Sequence, residues 1–518
     1  MSTGSDYLIV GGGSAGAVLA NRLSAHGYSV VLIEAGHAYR PNLYPADLAN
    51  ADVVAGPDGH DWGYTADSGQ LGRRIPAFRG RTLGGSSAVN AAVAIRSRPA
   101  DFAKWTAAGL DGWTWDEVLP SFRAIENTAD GSDELRGRLG PLPIRVRRAD
   151  ELTPSQLAFI DGAAELGDPR VSDFNDTRQD GVGPYPLNVI SGRRINTGIA
   201  FLGDDVRARP GLRIVDDTEI DHVLTDGRTA VGAVAADGTE YRADTVVLSA
   251  GSYGSPAILM RSGIGPASHL TELGIDVLAD LPVGNGLQEH PFYYNIYALT
   301  PDADSMHPAS GAILWTASSS AHPGDLDVHV SATHLFDPAA SPTGGAMVLA
   351  ASVTQPESRG SVRLDPRNPS GAPVIAYNLL ATPRDRDRML GAVRLSRRIG
   401  ASPAFARVVD RELTPGPEVT DAELEQAVLQ QLDVYAHPTS TVAMGARGSG
   451  VVDSRGRVHG VDRLIVADAS IMPLAPSAPP NVTTMMMADR ISRWLLTDTE
   501  AATSTDTAER VTTPAGRS

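Results

Sequence analysis

The chain has 518 residues, of which 42% are hydrophobic, and a length beyond roughly 250–300 residues predicts two joined domains rather than one core. Its formal net charge is −17 and it has no Lys/Arg-rich run, which argues against nucleic-acid binding. It contains no cysteine, which excludes disulfides, thiolate catalysis and cysteine-ligated zinc.

The N-terminus leads directly into an apolar run, without the basic segment and cleavage site of a signal peptide. No stretch of about 18 uninterrupted apolar residues occurs, so we expect no membrane insertion. These features predict a soluble cytoplasmic protein, as a monomer or a homodimer.

A strand–turn–helix–strand unit opens the chain. Residues 6–10 form a short apolar run, glycines follow at positions 11–13 and 16, residues 17–25 have a helical pattern, and residues 28–33 form a second apolar run. A long Gly/Pro-rich stretch from about 37 to 100 then has little periodicity, which is typical of a segment packed on a ligand.

The remaining elements predict a mixed fold. Helical patterns occur at 116–127, 155–166, 384–400, 421–432 and 484–496. Residues 213–224 and 228–236 predict a hairpin around Asp226 and Gly227, and 245–249 a buried strand. Alternating stretches between 290 and 380 predict an antiparallel sheet, and the last strand is expected at 464–466. Residues 499–518 lack periodicity and are predicted to be a disordered tail.

The first turn fits the dinucleotide-binding pattern G-x-G-x-x-G. Gly11 permits the tight turn, Gly13 lets the backbone approach a pyrophosphate, and Gly16 lets the helix pack on the strand. The phosphates then face the positive N-terminal end of the helix. Glu34 ends the second strand, where a carboxylate accepts hydrogen bonds from ribose hydroxyls and repels a 2′-phosphate. This pattern alone does not separate FAD from NAD.

Three further segments resemble the glucose–methanol–choline (GMC) oxidoreductase family. The first is residues 80–90, GRTLGGSSAVN, and the second is residues 251–265, GSYGSPAILMRSGIG, which match the two GMC signatures. The third comprises His437 to Thr441, Met444-Gly445 and Asp468 to Pro473, followed by Asn481. The resemblance covers roughly residues 6–495, with departures at Ser97, Gly286 and Ser440.

The resemblance implies an α/β fold, in which a Rossmann-like FAD-binding domain joins a substrate domain built on an antiparallel sheet. We predict the FAD-binding domain at 1–150, 190–290 and 440–498, and the substrate-binding domain at 151–189 and 291–439. Ala88 is aligned with the position where some members carry a histidine bonded to the flavin, so we predict non-covalent FAD.

The resemblance also implies the residues that contact FAD. They are Gly11, Gly13, Ser14, Ala15, Gly16, Glu34, Arg81, Thr82, Gly84, Gly85, Ser86, Asn90, Ala91, Ile220, Asp468, Ala469, Asn481, Val482 and Thr483. Asp468 could instead cap the following turn, Ile220 could be ordinary strand core, and Asn481 could cap a helix.

Alcohol oxidation removes a hydroxyl proton and a carbinol hydride, and the hydride passes to flavin N5. The proton requires a base with a pKa near the working pH, for which imidazole is suited. By resemblance, His437 is this base. Asn481 occupies the second position of the catalytic pair, where it can hydrogen-bond the substrate oxygen but cannot take up a proton.

No metal-binding spacing occurs among the histidines, so we predict no metal.

Within the family, the chain most resembles the bacterial choline-dehydrogenase-like group, which includes hydroxymethylfurfural-type and pyridoxine oxidases. Residues 305–320 contain Trp315 but no carboxylate, which favours a neutral primary alcohol over choline. Candidate substrate contacts are Trp315, His334 and Phe336, and His290 is expected to pack rather than react.

The expected acceptor is O2, giving H2O2, and the alternative is a dehydrogenase that passes electrons to a quinone or another carrier. A flavin-containing lyase and a non-catalytic FAD-binding protein are more remote alternatives. A photodecarboxylase is disfavoured because its characteristic cysteine is missing.

Overall fold

The computed structural model describes residues 4–57 and 59–511, with the backbone alone from 499 onward. Its first sheet, here the parallel sheet, contains five parallel strands, extended on one edge by an antiparallel hairpin. In spatial order the strands are Leu212–Val215, Val30–Ile33, Ser5–Val10, Glu240–Leu248, Thr229–Ala235 and Ile220–Asp226, and Leu464–Val466 pairs with Glu240–Leu248.

The second large sheet, here the antiparallel sheet, covers the other half of the molecule. Its strands in spatial order are Val409–Thr414, Pro291–Leu299, Ala346–Val353, Val328–Thr333, Ser310–Thr316 and Gly181–Pro184. Asp433–Val434 also pairs with Pro291–Leu299. The strand Ala346–Val353 is buried at every residue, because it lies centrally in the sheet and is covered on both faces.

Shorter strands connect the two large sheets. A five-stranded sheet has the order Asn285–Leu287, Gly360–Arg363, Val374–Ala376, Thr65–Asp67 and Arg74–Pro76. Two-stranded pairs are Glu126–Asn127 with Leu142–Pro143, Arg145–Val146 with Pro186–Leu187, Val189–Ile190 with Arg193–Arg194, and Ile264–Gly265 with Ala279–Asp280.

Twelve α-helices pack around these sheets in the described part of the chain. They are Gly16–Ala25, Ala46–Ala49, Pro99–Ala107, Trp115–Ile125, Pro154–Glu165, Thr197–Ala200, Asp204–Arg207, Gly251–Arg261, Ala267–Glu272, Pro383–Gly400, Leu424–Gln431 and Pro480–Val511. Among the described residues, no helix combines the length and apolar character needed to cross a bilayer.

Two cores correspond to the two large sheets. One surrounds the parallel sheet and is built from residues such as Ile9, Leu32 and Val247, all fully buried or nearly so. The other fills the space between the antiparallel sheet and the helices Pro154–Glu165 and Pro383–Gly400. The alternation predicted for strands and the 3.6-residue period predicted for helices place their apolar faces in these cores.

Two predicted boundaries are wrong. The stretch 213–224 is two strands, Leu212–Val215 in the parallel part of the sheet and Ile220–Asp226 in the hairpin, because the chain turns between them. The last helix starts at Pro480 rather than 484 and continues to Val511, into the segment predicted as disordered. Residues 512–518 of that segment lie outside the described residues.

The strands of each large sheet fall in separate sequence segments. Every strand of the parallel sheet lies in the segments predicted for FAD binding, and every strand of the antiparallel sheet lies in those predicted for substrate binding. The chain crosses between the sheets several times, so both halves contribute to any site at their junction.

Candidate functional site

A cavity of about 720 Å³ lies between the two large sheets. On one side it meets the carboxyl ends of three parallel strands, at Val10, Ile33 and Ser249. On the other side it meets the antiparallel sheet, at Ile313, His329 and Ala350. Open α/β sheets bind ligands outside the carboxyl ends of their strands, so this is the expected place for a cofactor with a substrate beside it.

Two glycine loops touch at the floor of the cavity. A side chain on Gly85 would place its Cβ 2.8 Å from the Cα of Gly13, so the second loop could not carry one at this contact. The amide of Gly84 also donates to the carbonyl of Gly12 at 2.8 Å. Gly11 has φ +97°, which favours glycine. The backbone thus forms a cradle without side chains, as binding of a pyrophosphate requires.

Glu34 lies at the end of its strand, on the cavity wall. Its two carboxylate oxygens accept hydrogen bonds from the amides of Gly12, at 2.8 Å, and Gly36, at 2.9 Å. Burial raises the pKa of Glu34 to about 7, against the opposing effect of these amides. Each oxygen retains a lone pair for a ribose hydroxyl, so this environment fits a dinucleotide.

Most residues predicted to contact FAD line the cavity. They are Gly11, Gly13, Ser14, Ala15, Glu34, Arg81, Gly85, Ser86, Asn90, Ala91, Ile220, Asp468, Ala469 and Asn481.

The structure assigns packing positions to the other five, Gly16, Thr82, Gly84, Val482 and Thr483. The Cβ of a residue at position 16 would lie 1.9 Å from the carbonyl oxygen of Gly11, so Gly16 serves the helix–strand contact. The Thr82 hydroxyl donates to the carbonyl of His37 at 2.8 Å, and the Thr483 hydroxyl lies 2.5 Å from that of Ser97. Thr484, one residue further along the helix, lines the cavity instead.

The position that faces the cavity next to the second glycine loop is Val89, whereas Ala88 is fully buried in a short 3-10 helix. Within the residues 85–89, the side chain next to the cavity at the end of this loop is therefore that of Val89 and not that of Ala88. Neither alanine nor valine has an atom that could bond to a flavin.

Asp468 caps the turn that follows, which is one of the two interpretations that the sequence left open, and it also lines the cavity. Its carboxylate caps the turn that follows by accepting from the amide of Ser470 at 2.8 Å. It also accepts from the amide of Gly251, at 2.9 Å, and the hydroxyl of Ser255, at 2.6 Å. Because the same residue lines the cavity, it ties the start of the helix Gly251–Arg261 to the cofactor side.

His437 belongs to an aromatic wall on the substrate side of the cavity, formed by Tyr294, Phe292, Tyr435 and His437. The Tyr435 ring stacks on His437 with centroids 5.1 Å apart and on Phe292 with centroids 4.4 Å apart. Tyr294 tilts against Phe292 at 4.2 Å. A planar apolar group could extend this stack next to the imidazole.

His290 contacts the ring of His437 from behind the wall. The Nδ1 atoms of the two rings are 3.1 Å apart, so one of them carries the shared hydrogen. Burial lowers the pKa of His290 to about 4, so this ring is neutral. Because His290 contacts Nδ1 of His437, Nε2 is the ring nitrogen of His437 that remains open to a ligand.

Several groups keep His437 neutral. Burial lowers its pKa well below the usual range, and His290, Arg79 and His329 act in the same direction. His329 lines the cavity, and its Nε2 is buried without a hydrogen-bond partner among the described residues. The site therefore offers a neutral imidazole that can accept a proton.

Asn481 is the second residue of the helix Pro480–Val511, so it lies in the first turn and is not the N-cap. Its Oδ1 accepts from the Ser14 hydroxyl at 2.7 Å, which links it to the dinucleotide loop. Its Nδ2 is buried and has no hydrogen-bond partner within the described chain. The amide therefore presents a free donor at the cavity, beside the positive end of a helix.

The three predicted substrate contacts lie elsewhere, which corrects that expectation. Trp315 is fully buried, packs edge-on against His329 at 5.0 Å and donates to the carbonyl of Leu326. His334 is held between the Thr153 hydroxyl, at 2.9 Å, and the carbonyl of Ala346, at 2.7 Å. Phe336 is partly buried and packs against the cluster of Phe292, Val348 and Ala350. None of the three lines the cavity.

Sequence reasoning missed the aromatic wall itself. The alternation of Phe292 and Tyr294 along the strand Pro291–Leu299 was the available signal, since residues two apart share one face. Tyr435 lies two residues before His437 and could have been found by the same reasoning. Arg79 and Glu289 were also missed, although they contact the segment that carries His437.

Ser440 has the left-handed backbone conformation, with φ +70°. In the family segment His-Pro-Val-Gly-Thr, which residues 437–441 resemble, the corresponding residue is glycine. Glycine adopts a positive φ without strain, whereas serine does not. Its hydroxyl contacts the Thr439 hydroxyl at 3.1 Å and Gln288 at 3.4 Å. The chain thus carries local strain three residues after His437.

Comparisons with known proteins agree on one family. The two family models of the GMC oxidoreductases match residues 5–292 and 356–488. The 5-(hydroxymethyl)furfural oxidase of Methylovorus sp. (strain MP688) is 35% identical over 95% of this chain and 98% of its own length.

An oxygen-dependent choline dehydrogenase of Ectopseudomonas mendocina (strain ymp) is also 35% identical, over 95% of this chain and 94% of the relative. Among solved structures, pyridoxine 4-oxidase from Mesorbium loti superposes with a TM-score of 0.87 at 35% identity, covering 94% of this chain and 98% of that one.

The strain at Ser440 predicts that glycine stabilises the protein. A left-handed residue other than glycine costs about 1–2 kcal/mol, and the extra freedom of glycine in the unfolded chain offsets about 0.5–1 kcal/mol. We expect Ser440→Gly to raise the free energy of unfolding in urea by up to about 1 kcal/mol. Ser440→Ala is the control, since it removes the same hydroxyl and keeps the strain. Equal stability of the two variants would contradict the prediction.

Proposed function

The chain belongs to the GMC oxidoreductase family, and on this premise we propose that it oxidises a primary alcohol to an aldehyde with bound FAD, using His437 as the general base. The observation that carries the proposal is the half-buried imidazole of His437, which belongs to the aromatic wall of the cavity and has a pKa well below its usual range. Bound FAD supplies the acceptor for the hydride that leaves the carbinol carbon.

The residues that would hold FAD come from both parts of the cavity. The glycine loops at 11–16 and 84–86 would contact the pyrophosphate, Glu34 the ribose, and Ile220 the adenine end. Asp468, Ala469 and Asn481 would contact the other end of the cofactor. Since Val89 takes the wall position beside the second loop, we propose that FAD is bound without a covalent link.

His437 and Asn481 have different roles at the substrate oxygen. Nε2 of His437 accepts the hydroxyl proton as the carbinol carbon loses its hydride. The free Nδ2 of Asn481 donates a hydrogen bond to the same oxygen and so orients it. Exclusion of water by the surrounding aromatic rings strengthens both interactions.

We propose a neutral aromatic alcohol as the substrate class. Phe292, Tyr294 and Tyr435 present ring faces and edges beside His437, which suits a flat ring that carries a hydroxymethyl group. Two relatives, a 5-(hydroxymethyl)furfural oxidase and a pyridoxine 4-oxidase, support this substrate class.

The same two relatives are oxidases, which supports O2 as the electron acceptor, with H2O2 as its product. A quinone or a carrier protein is the alternative acceptor.

A quaternary-ammonium alcohol is the second candidate, because Asp433 lines the same cavity next to Phe292 and Tyr294. Aromatic rings and a carboxylate together bind such cations. Burial raises the pKa of Asp433, against the opposing effects of the Val434 amide and of Arg73, so this carboxylate is less suited to pair with a cation. The choline dehydrogenase relatives make this candidate worth testing directly.

We also propose a domain division that follows the two large sheets. The FAD-binding part is 1–150 with 190–290 and 440–498, and the substrate-binding part is 151–189 with 291–439. The distribution of the strands supports it, since the parallel and antiparallel sheets draw on different segments.

Anaerobic titration with a panel of alcohols tests the function. We expect benzyl or furfuryl alcohol to remove the oxidised flavin absorbance, and His437→Ala to slow that reaction by roughly a hundredfold to ten-thousandfold. His26→Ala, at an exposed histidine, is the matched control. Rapid return of the absorbance in air, with peroxide, would identify an oxidase. Unchanged reduction in His437→Ala would refute the assignment of the base.

The low pKa of His437 predicts the pH dependence of kcat/KM. A base must be neutral, so activity falls as the pH drops through its pKa, and a lowered pKa moves that fall to lower pH. We expect kcat/KM for a neutral alcohol to stay level from about pH 7.5 to about pH 6. The charges that face His437 are Arg79, His290, His329 and Glu289, whose own pKa is raised to about 8 by burial. A fall centred near pH 7 would contradict the prediction.

The two substrate candidates predict different effects at Asp433. If a neutral aromatic alcohol is the substrate, kcat/KM for furfuryl alcohol exceeds that for choline, and Asp433→Asn increases the ratio further. Phe292→Ala raises KM for furfuryl alcohol by about tenfold, because a ring–ring contact of about 1.4 kcal/mol is lost. A preference for choline in the unmodified enzyme that Asp433→Asn abolishes would establish the second candidate instead.

A further inference from the structure

The segment that carries His437 departs from regular strand pairing at one place. The pair Pro291–Val434 belongs to the antiparallel sheet, and the pair Gln288–Thr439 is a bridge beyond it. Two residues separate these pairs on one side, 289 and 290, and four on the other, 435–438. The longer side therefore bulges, and His437 lies within the bulge. Bulges next to active sites commonly redirect a side chain.

The bulge contains a backbone conformation that alanine does not favour. Ala436 has φ +59°, in the left-handed region, directly before His437. A non-glycine residue remains there when its surroundings determine the conformation. The peptide group that joins Ala436 to His437 must therefore be held by its neighbours.

Two side chains hold that one peptide group from opposite ends. The Arg79 guanidinium donates to its carbonyl oxygen, on Ala436. The Glu289 carboxylate accepts from its amide, on His437, at 2.7 Å. The guanidinium meets the negative end of the peptide dipole, which makes that hydrogen bond charge-assisted, and the carboxyl oxygen of Glu289 accepts from the positive end.

Glu289 extends this arrangement to the second histidine. The same Oε1 atom also accepts from the amide of His290 at 2.8 Å, so one oxygen ties the backbones of both histidines together. Glu289 is 3% exposed and lies behind the cavity wall, where it cannot meet a substrate. Its Oε2 is buried and has no hydrogen-bond partner in the described chain. A proton on Oε2 would leave Oε1 free to accept both bonds.

We propose that Arg79 and Glu289 form a clamp on the Ala436–His437 peptide, and that this clamp aims the His437 imidazole at the substrate hydroxyl. Arg79 and Glu289 are thus positioning residues for the base. The inference rests on the proposed function, because it assigns a purpose to the orientation of His437. The bond that matters at position 289 is an accepted hydrogen bond, not a negative charge.

Substitutions at Glu289 test the clamp, since this residue does not line the cavity. Glu289→Gln keeps a carbonyl oxygen for the two amides, and Glu289→Leu removes it at similar size. We expect Glu289→Leu to lower the rate of anaerobic flavin reduction at saturating alcohol by roughly tenfold to a hundredfold, with a smaller change in KM. Glu289→Gln should retain a clearly larger share of the rate.

A rescue experiment separates orientation from general structural damage. Glycine adopts the left-handed conformation without strain, so Ala436→Gly added to Glu289→Leu should restore part of the lost rate. Equal rates in Glu289→Leu and the unmodified enzyme would overturn the clamp. A slow Glu289→Leu that glycine does not improve, or a Glu289→Gln as slow as Glu289→Leu, would also overturn it.

Crystal structures of these variants give a readout that is independent of turnover. The Ala436–His437 peptide should rotate in Glu289→Leu, with Ala436 leaving positive φ, and stay in place in Glu289→Gln. If Glu289→Leu does not fold, Arg79→Met at the half-exposed position 79 removes the other bond and should rotate the same peptide. An unmoved peptide in these variants would refute the clamp. A peptide that rotates in a protein whose flavin no alcohol reduces would support the clamp and refute the proposed function.

Discussion

The contact between two glycine loops is the constraint on which the site depends. At Gly13 and Gly85 the backbones approach so closely that a Cβ at position 85 would lie 2.8 Å from the Cα of Gly13. This contact joins the dinucleotide loop to a segment about 70 residues later, and the hydrogen bond from Gly84 to Gly12 fixes their relative position. Because no side chain fills the space, the cradle accepts a large phosphate-containing group. The cofactor side of the cavity is thus built largely from backbone.

The substrate side is built from side chains. The aromatic wall and the surrounding sheet shield His437 from water in part, and burial lowers its pKa. His290 contacts it at Nδ1, which leaves Nε2 open to the cavity. Asn481 links the two sides, because its Oδ1 accepts from Ser14 of the dinucleotide loop and its Nδ2 has no partner within the described chain. A proton acceptor and a hydrogen-bond donor are therefore fixed relative to the cofactor cradle.

Local motifs were predictable from the sequence because their meaning lies in short spacings. The G-x-G-x-x-G loop, Glu34 and the segment at His437 each depend on a few neighbouring residues, and the strands and helices followed from periodicity. Trp315 was mistaken for a substrate contact because alternation gives the face of a strand and not the depth. It pairs with His329 on the same face, yet it lies under Phe174 and Arg98, away from the cavity. The hydrogen bond from the His437 amide to Glu289 links residues 148 positions apart, so no local pattern could indicate it.

Hydride removal from an alcohol at this site is the central claim, and isotope substitution in single-turnover reduction tests it most directly. The enzyme would be mixed anaerobically with furfuryl alcohol and with the same alcohol deuterated at its carbinol carbon. The account predicts that both alcohols remove the oxidised flavin absorbance and that the deuterated one does so more slowly, because the C–H bond breaks in that step. Persistence of the oxidised absorbance with this and every other alcohol in a broad panel would contradict the account.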